Sequence, residues 1–255
     1  MKQLFLLALL GLSLAATAHA QTYQQLDAAG KQGYVKAKAQ QLSAIIGGRT
    51  VEFSPAYLAL VTARVEAYAK RIGTGAQGVA GKEDLRFVME RGAKFAPTFA
   101  QAFQARNVAP LIGIYLPFME SEFRNEMTSE AGSSGMFQFL EQTAVRFGIT
   151  SAERNDPAKA ADAAARYLAG LQNKFAGDVW LSLLSYNQGE TAVDKMLTNV
   201  TNARAAACGV CALSEAQGTL GKEGLFYTPN LIAAAIIGEH PADFGLQVSP
   251  LSSGK

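Results

Sequence analysis

The chain has 255 residues, about half of them hydrophobic, and a formal net charge of +2. That length suits one large domain or two small ones, and a near-neutral balance without a long basic run gives no argument for a nucleic-acid partner. Two histidines and two cysteines are too few for most metal sites, and no metal or cofactor is expected.

The first stretch reads as a secretory signal peptide. Met1-Lys2 supplies a positive charge, Leu4 to Ala16 is apolar, and Ala18-His19-Ala20 has the small-x-small form of a cleavage site. The apolar run is too short for a stable membrane span. Residues 1–20 are therefore expected to leave, with a mature product from Gln21 that is exported, periplasmic or secreted. No cysteine follows the apolar core, so no lipid anchor is evident.

The mature chain reads almost wholly as helix. Gln24 to Ile46 is Ala-rich, with Leu26, Val35, Leu42 and Ile46 at helical spacing, and Gly47-Gly48 stops it. Ser54-Pro55 pairs a cap with a first-turn proline and opens a helix to about Ile72. Its stripe of Tyr57, Leu58, Val61, Val65 and Tyr68 suits a core face. Gly73, Gly75, Gly78 and Gly81 mark a loop, followed by helices from near Lys82 to Arg91 and from Pro97 to Arg106. Pro110 then suits the first turn of another helix, with Asn107 as a candidate cap. Asp156-Pro157 starts a helix that a Gly177 stop closes. Asp178 caps VWLSLLSY, and a further helix covers Glu190 to Leu197. Thr201 to Gly221 reads as irregular, Tyr227 to Gly238 as a last apolar helix introduced by Pro229, and the tail from Gln247 as frayed.

The spacing Cys208-Gly-Val-Cys211 suggests a redox or metal motif in a reducing compartment. After export a local disulfide between the two is favoured. A zinc site needs two more ligands, and His240 alone is insufficient once His19 has left with the signal.

The stretch that carries chemistry starts at Leu111. Leu111 to Met119 is apolar throughout and ends in Glu120-Ser121. Pro117 removes one backbone donor within it and should kink the helix. A carboxyl held by such a segment loses hydration, its pKa rises, and near neutral pH it becomes a proton donor. The plain alternative is that Glu120 marks where a helix reaches water. Three later pieces weigh against that: Ser129 to Gln138 (SEAGSSGMFQ), Ser185 to Glu190 (SYNQGE), and Phe226-Tyr227.

Together these four pieces resemble the lysozyme-like lytic transglycosylases, the family of soluble lytic transglycosylase catalytic domains. The family pattern is an E-S pair, S-x-x-G-A-x-G-L-M-Q, A-Y-N-x-G, and a tyrosine ahead of a final helix. The lead-in from Ala93 is similar to the membrane-bound lytic murein transglycosylase D branch, and the resemblance spans about Ala93 to Gly238. It implies a lysozyme-like (goose-type) catalytic domain with a helical N-terminal extension, in line with the all-α reading of the chain, which itself leaves room for a minor β-hairpin near Gly135 to Phe139. The division it suggests is 1–20 signal peptide, 21–106 helical N-terminal region, 107–240 transglycosylase domain and 241–255 flexible tail.

The resemblance further implies that Glu120 is the catalytic acid/base and that Ser129, Gln138, Tyr186, Asn187 and Tyr227 contact the glycan. Ser133, Met136-Phe137 and Leu140-Glu141 depart from the family pattern by size-tolerant exchanges. The lipoprotein anchor and peptidoglycan-binding repeats of the D branch are not expected to carry over. Glu122 falls about 200° round a helix from Glu120; Glu126 and Glu130 lie in a polar stretch, and Glu190 suits a helix start. A single-acid mechanism on peptidoglycan strands is the simplest expectation. A water-using muramidase of goose-lysozyme type and a non-catalytic wall-binding or scaffolding protein stay open as rivals.

Overall fold

The computed structural model describes residues 21–254, and the signal-peptide reading lies outside them. Among the described residues there are eleven α-helices and no multi-residue strand, so the expected all-α class holds. The hairpin expectation reduces to two isolated bridges, Thr128 with Ser134 and Ser134 with Phe139.

Helix α1 spans Ala28–Gly47 and α2 spans Pro55–Ala69. Asp27 and Ser54 cap them, each side-chain oxygen accepting a free backbone N–H of the first turn. Gly48 ends α1 with φ 69°, a left-handed conformation that suits glycine. Helices α3 (Leu85–Ala93) and α4 (Ala96–Gln104) follow. The predicted α2 stripe is inward, with Tyr57, Val61, Val65 and Tyr68 buried.

Helix α5 runs Pro110–Ser121 and is buried on all sides from Leu111 to Phe118, with Pro117 inside it. Asn107 is not its cap. It sits in a left-handed turn (φ 58°), and the N-cap position falls to Ala109, which contributes no side-chain bond. Burial stabilises this helix instead, each enclosed Leu, Ile or Phe contributing roughly 1.5–3 kcal/mol.

A loop leads to α6 (Glu141–Arg146), then α7 (Pro157–Lys174), α8 (Val179–Gln188) and α9 (Glu190–Asn199). Asp156 and Asp178 cap α7 and α8 as expected. The 201–221 stretch departs from its irregular expectation by forming α10 (Gly209–Glu215). Cys208 and Cys211 are joined in a disulfide, and the Cys208 sulfur accepts the Cys211 N–H at the helix start. A cap made by sulfur is invisible to the usual Ser/Thr/Asp/Asn signal.

The last helix, α11, is longer than predicted, Lys222–Glu239, with Pro229 buried in its interior rather than at its start. It packs along α2 and against α5 and α8. A Cβ on Gly238 would lie 2.3 Å from the Tyr115 ring, so α5 and α11 meet there at a distance only glycine allows. The tail expected to fray instead forms 3-10 turns at Pro241–Phe244 and Leu251–Ser253, with Phe244 and Leu251 buried. Tyr115 and Ser252 both donate to the Glu239 carboxylate, tying tail to core. No described helix is long and apolar enough to cross a membrane.

Candidate active site

Glu120 stands at the C-terminal end of α5, where the helix carbonyls point and a negative charge is disfavoured. Ser121 is buried behind it, its hydroxyl within reach of the carbonyls of Met136 (2.9 Å) and Pro117 (3.1 Å). That side chain links the end of α5 to the loop that follows. The chain then turns sharply through two left-handed residues, Glu122 (φ 52°) and Phe123 (φ 58°).

An ionic brace holds this turn. Arg71 pairs with Glu122 at 2.6 Å, and the Arg91 Nε donates to the Glu122 carbonyl at 2.8 Å. Glu83 accepts from both Arg91 and Arg124 at 2.7 Å. Burial alone would raise the Glu83 pKa; the Arg91 hydrogen bond and its neighbours outweigh that, and the net direction is down. Phe123 packs so closely on Gly92 that a Cβ there would lie 2.4 Å from the ring. Glu122 is thus committed to this ion pair and turn, and its left-handed backbone takes it off the helix on which its direction was reckoned.

The loop from 127 to 140 carries the next residues. Gly135 has φ 77°, and its Cα faces the Arg154 carbonyl so closely that a Cβ would lie 2.0 Å from that oxygen. Arg154 reaches back to the carbonyls of Gly132 (2.9 Å) and Phe139 (3.0 Å). Within the loop the Gln138 amide donates to the Gly135 and Met127 carbonyls and accepts from the Ser133 hydroxyl at 2.7 Å. Ser133 also meets the Ser129 hydroxyl at 2.7 Å. Ser129, Ser133 and Gln138 therefore form one continuous polar edge.

Tyr186 and Asn187 come from the last turn of α8. The Tyr186 hydroxyl donates to the Phe137 carbonyl at 2.9 Å, and its ring lies against Tyr167 and Phe139. Asn187 donates to Glu223 at 2.8 Å. Tyr227, one turn along α11 from Glu223, donates its O–H to the Glu120 carboxyl at 2.5 Å.

A groove of about 730 Å³ is lined by Glu120, Ser129, Gln138, Tyr186 and Asn187, with Glu223 at its rim. Tyr227 lines a second cleft of about 460 Å³ that shares Glu120, Asn187 and Glu223 with the first. A third, of about 330 Å³, joins at Glu120 from the α2 side. All six residues singled out in the sequence thus surround one trough, with Glu120 where its arms meet. Among the described residues no group of three or more His, Cys, Asp or Glu side chains is placed to hold a metal.

Burial pushes the Glu120 pKa up to about 7, with the Tyr227 hydrogen bond lowering it and the nearby Glu223 charge raising it. Burial and then the Glu120 charge keep the Tyr186 and Tyr227 phenols protonated, well above their ordinary value. The site therefore holds a carboxyl balanced between its two protonation states near neutral pH, suited to give and take a proton. Removing the Tyr227 donor stabilises the neutral acid further. In Tyr227→Phe the alkaline limb of the activity profile is expected to move up by about one pH unit, which a kcat/KM profile from pH 5 to 9 checks.

Three further residues, Glu223, Asn230 and Arg64, line the second cleft without a local signal in the sequence. Pro229 reads as a helix start and so hides Glu223; on the observed helix Glu223 and Tyr227 are one turn apart and share a face. Asn230 falls on the same helix, one turn beyond Phe226. Arg64 comes from α2, and no local signal in α2 marks it.

The all-α fold and its trough are those of a lysozyme-like domain. Comparison with known proteins narrows this. Residues 97–207 match the family described as Transglycosylase SLT domain. A stretch of 97 residues is 37% identical to peptidoglycan transglycosylase gp16 of Escherichia phage T7, covering 36% of this chain and 7% of that protein. Membrane-bound lytic murein transglycosylase D of Escherichia coli K12 is 26% identical over 171 residues, covering 66% of this chain and 36% of the relative. The solved structure of an inactive mutant of the lytic transglycosylase Slt from Pseudomonas aeruginosa superposes with a TM-score of 0.50 at 20% identity, over 76% of this chain and 33% of that one. This chain thus spans little more than a third of the length of each, or less. The 97–207 segment is thus similar to the transglycosylase SLT family, and the fold is that of the lysozyme-like lytic transglycosylases. Glu223, Tyr227 and Arg64 all lie outside the matched segment.

Proposed function

We propose that this chain is an exported peptidoglycan lytic transglycosylase. It cleaves the β-1,4 bond between N-acetylmuramic acid and N-acetylglucosamine and leaves 1,6-anhydromuramic acid ends. The observation that carries this reading is Glu120, a sheltered carboxyl of raised pKa where a groove of about 730 Å³ meets two further clefts. Export rests on the amino-terminal signal pattern and on where such a substrate lies.

Neutral Glu120 gives its proton to the glycosidic oxygen as that bond breaks. The N-acetyl oxygen of the substrate assists at the anomeric carbon, in place of an enzyme nucleophile. The Glu120 carboxylate then takes the proton of the muramic 6-hydroxyl, whose oxygen closes the anhydro ring. The enzyme ends in its starting protonation state and no water is consumed. A positioned acid/base contributes on the order of 10²–10⁴-fold; positioning by Ser129, Gln138, Tyr186 and Asn187 supplies more.

Glu223 favours one rival. A second carboxylate beside the same cleft is what a hydrolytic muramidase needs to activate water. Its engagement by Asn187 and its exposed position favour an orienting role. Digestion of purified sacculi followed by mass spectrometry tests the choice. Fragments one water lighter than the reducing species support transglycosylation, and in Glu223→Gln they persist. Reducing ends that vanish in Glu223→Gln establish hydrolysis, and no soluble fragments at all leave a wall-binding protein.

A further inference from the structure

The two clefts on the α2 side of Glu120 share four lining residues: Arg64, Met119, Glu120 and Asn230. Arg64 is thus the one cation common to both. Its setting is built rather than incidental. The Nε donates to the Asn230 side chain, and the guanidinium lies 5.7 Å from the Phe226 ring centre and 5.9 Å from that of Tyr68. These contacts fix the plane of the fork and leave its two terminal nitrogens for another partner.

That partner is not supplied by the protein. Among the described residues no carboxylate lies within ion-pair distance of Arg64, whereas Arg71, which lines the same α2-side cleft, is neutralised by Glu122 at 2.6 Å. Lys222 lines the outer cleft as well and adds a second positive charge. A half-buried arginine held by an amide and two rings, with its donors unpaired beside the candidate acid, is arranged to receive a planar anion.

We propose that Arg64 is a carboxylate anchor, binding an acidic group that the glycan strand carries next to the bond being cut. The inference rests on the peptidoglycan reading above, because the anionic groups of that polymer near the bond are carboxylates. They have two sources: the peptide stem, or the lactyl group of muramic acid where the stem has been removed. The N-terminal helical region, through α2, thereby contributes to substrate recognition.

The test measures glycan binding to the full chain carrying Glu120→Gln, so that nothing turns over. The ligands are a peptide-bearing glycan oligomer, the same oligomer after amidase treatment, and a neutral N-acetylglucosamine oligomer. Adding Arg64→Ala is expected to weaken a carboxylate-bearing ligand about tenfold and the neutral one less than twofold. Loss confined to the first ligand identifies the stem as the source; loss confined to the second identifies the lactyl group. Arg64→Lys, which keeps the charge and the packing stem, is expected to fall between, with an unchanged melting temperature. High salt should shrink the wild-type preference. Equal loss on all three ligands, or none on any, overturns the anchor while the function stands. Failure of every glycan to bind the Glu120→Gln chain removes the peptidoglycan reading, and the anchor with it.

Discussion

Glu120→Gln is expected to lower turnover on purified sacculi by on the order of 10²–10⁴-fold or more, while glycan binding stays within a few-fold of the parent. The amide keeps the shape and the contact with Tyr227 but has no proton to give at the needed acidity. The same exchange carries a stability signature of definite sign. The Glu120 pKa is raised from 4.5 to about 7 in the folded chain, so the native state holds this proton more tightly than the unfolded state. The stability this confers is complete below the unfolded value and is lost as pH rises through about 7. The glutamine variant has no such dependence. Its stability relative to the parent, followed through the melting temperature, should therefore climb between about pH 5 and pH 7, reaching a difference on the order of 2 kcal/mol. A parallel pH dependence of the two melting temperatures would mean that Glu120 is not sheltered.

The second large effect is expected at Gly135. A methyl there meets backbone, the Arg154 carbonyl at 2.0 Å, and must also adopt φ 77°. Neither the carbonyl nor the loop has room to yield without moving Gln138, whose amide is bound to the Gly135 carbonyl. Gly135→Ala should cost about 3 kcal/mol or more, the sum of left-handed strain and a close clash, and lower activity at least tenfold. Gly132 is the internal comparison. It shares the positive φ, 81°, but has open space where a Cβ would go. Gly132→Ala should cost only about 1 kcal/mol. Equilibrium urea unfolding of the two variants separates them, and equal losses would contradict the close-approach argument.

Much of this was legible in the amino-acid order because the signals were local. Ser54-Pro55, Asp156-Pro157 and Asp178 each mark a helix start by their own chemistry, and the apolar run ending in Glu120 locates a buried helix with an acid at its end. Two of the sharper misses share one cause, which is that tertiary context overrode a local rule. Pro229 reads as a helix start, yet α11 is enclosed by α2, α5 and α8 and continues through it, which hid Glu223. The polar, glycine-containing tail reads as frayed, yet Leu251 is buried and Ser252 is held by Glu239. A cysteine sulfur caps α10, a role the standard cap list omits. Arg64 stands on a helix that reads as ordinary packing; only the fold brings it beside the acid.

The central claim is that the bond is broken without water, the muramic 6-hydroxyl taking the place that water has in hydrolysis. Digesting sacculi with the parent chain in heavy-oxygen water tests it directly. Anhydro-ended fragments that carry no heavy oxygen at the new terminus are expected. Heavy oxygen incorporated at the new reducing end, in proportion to its share of the solvent, would contradict it.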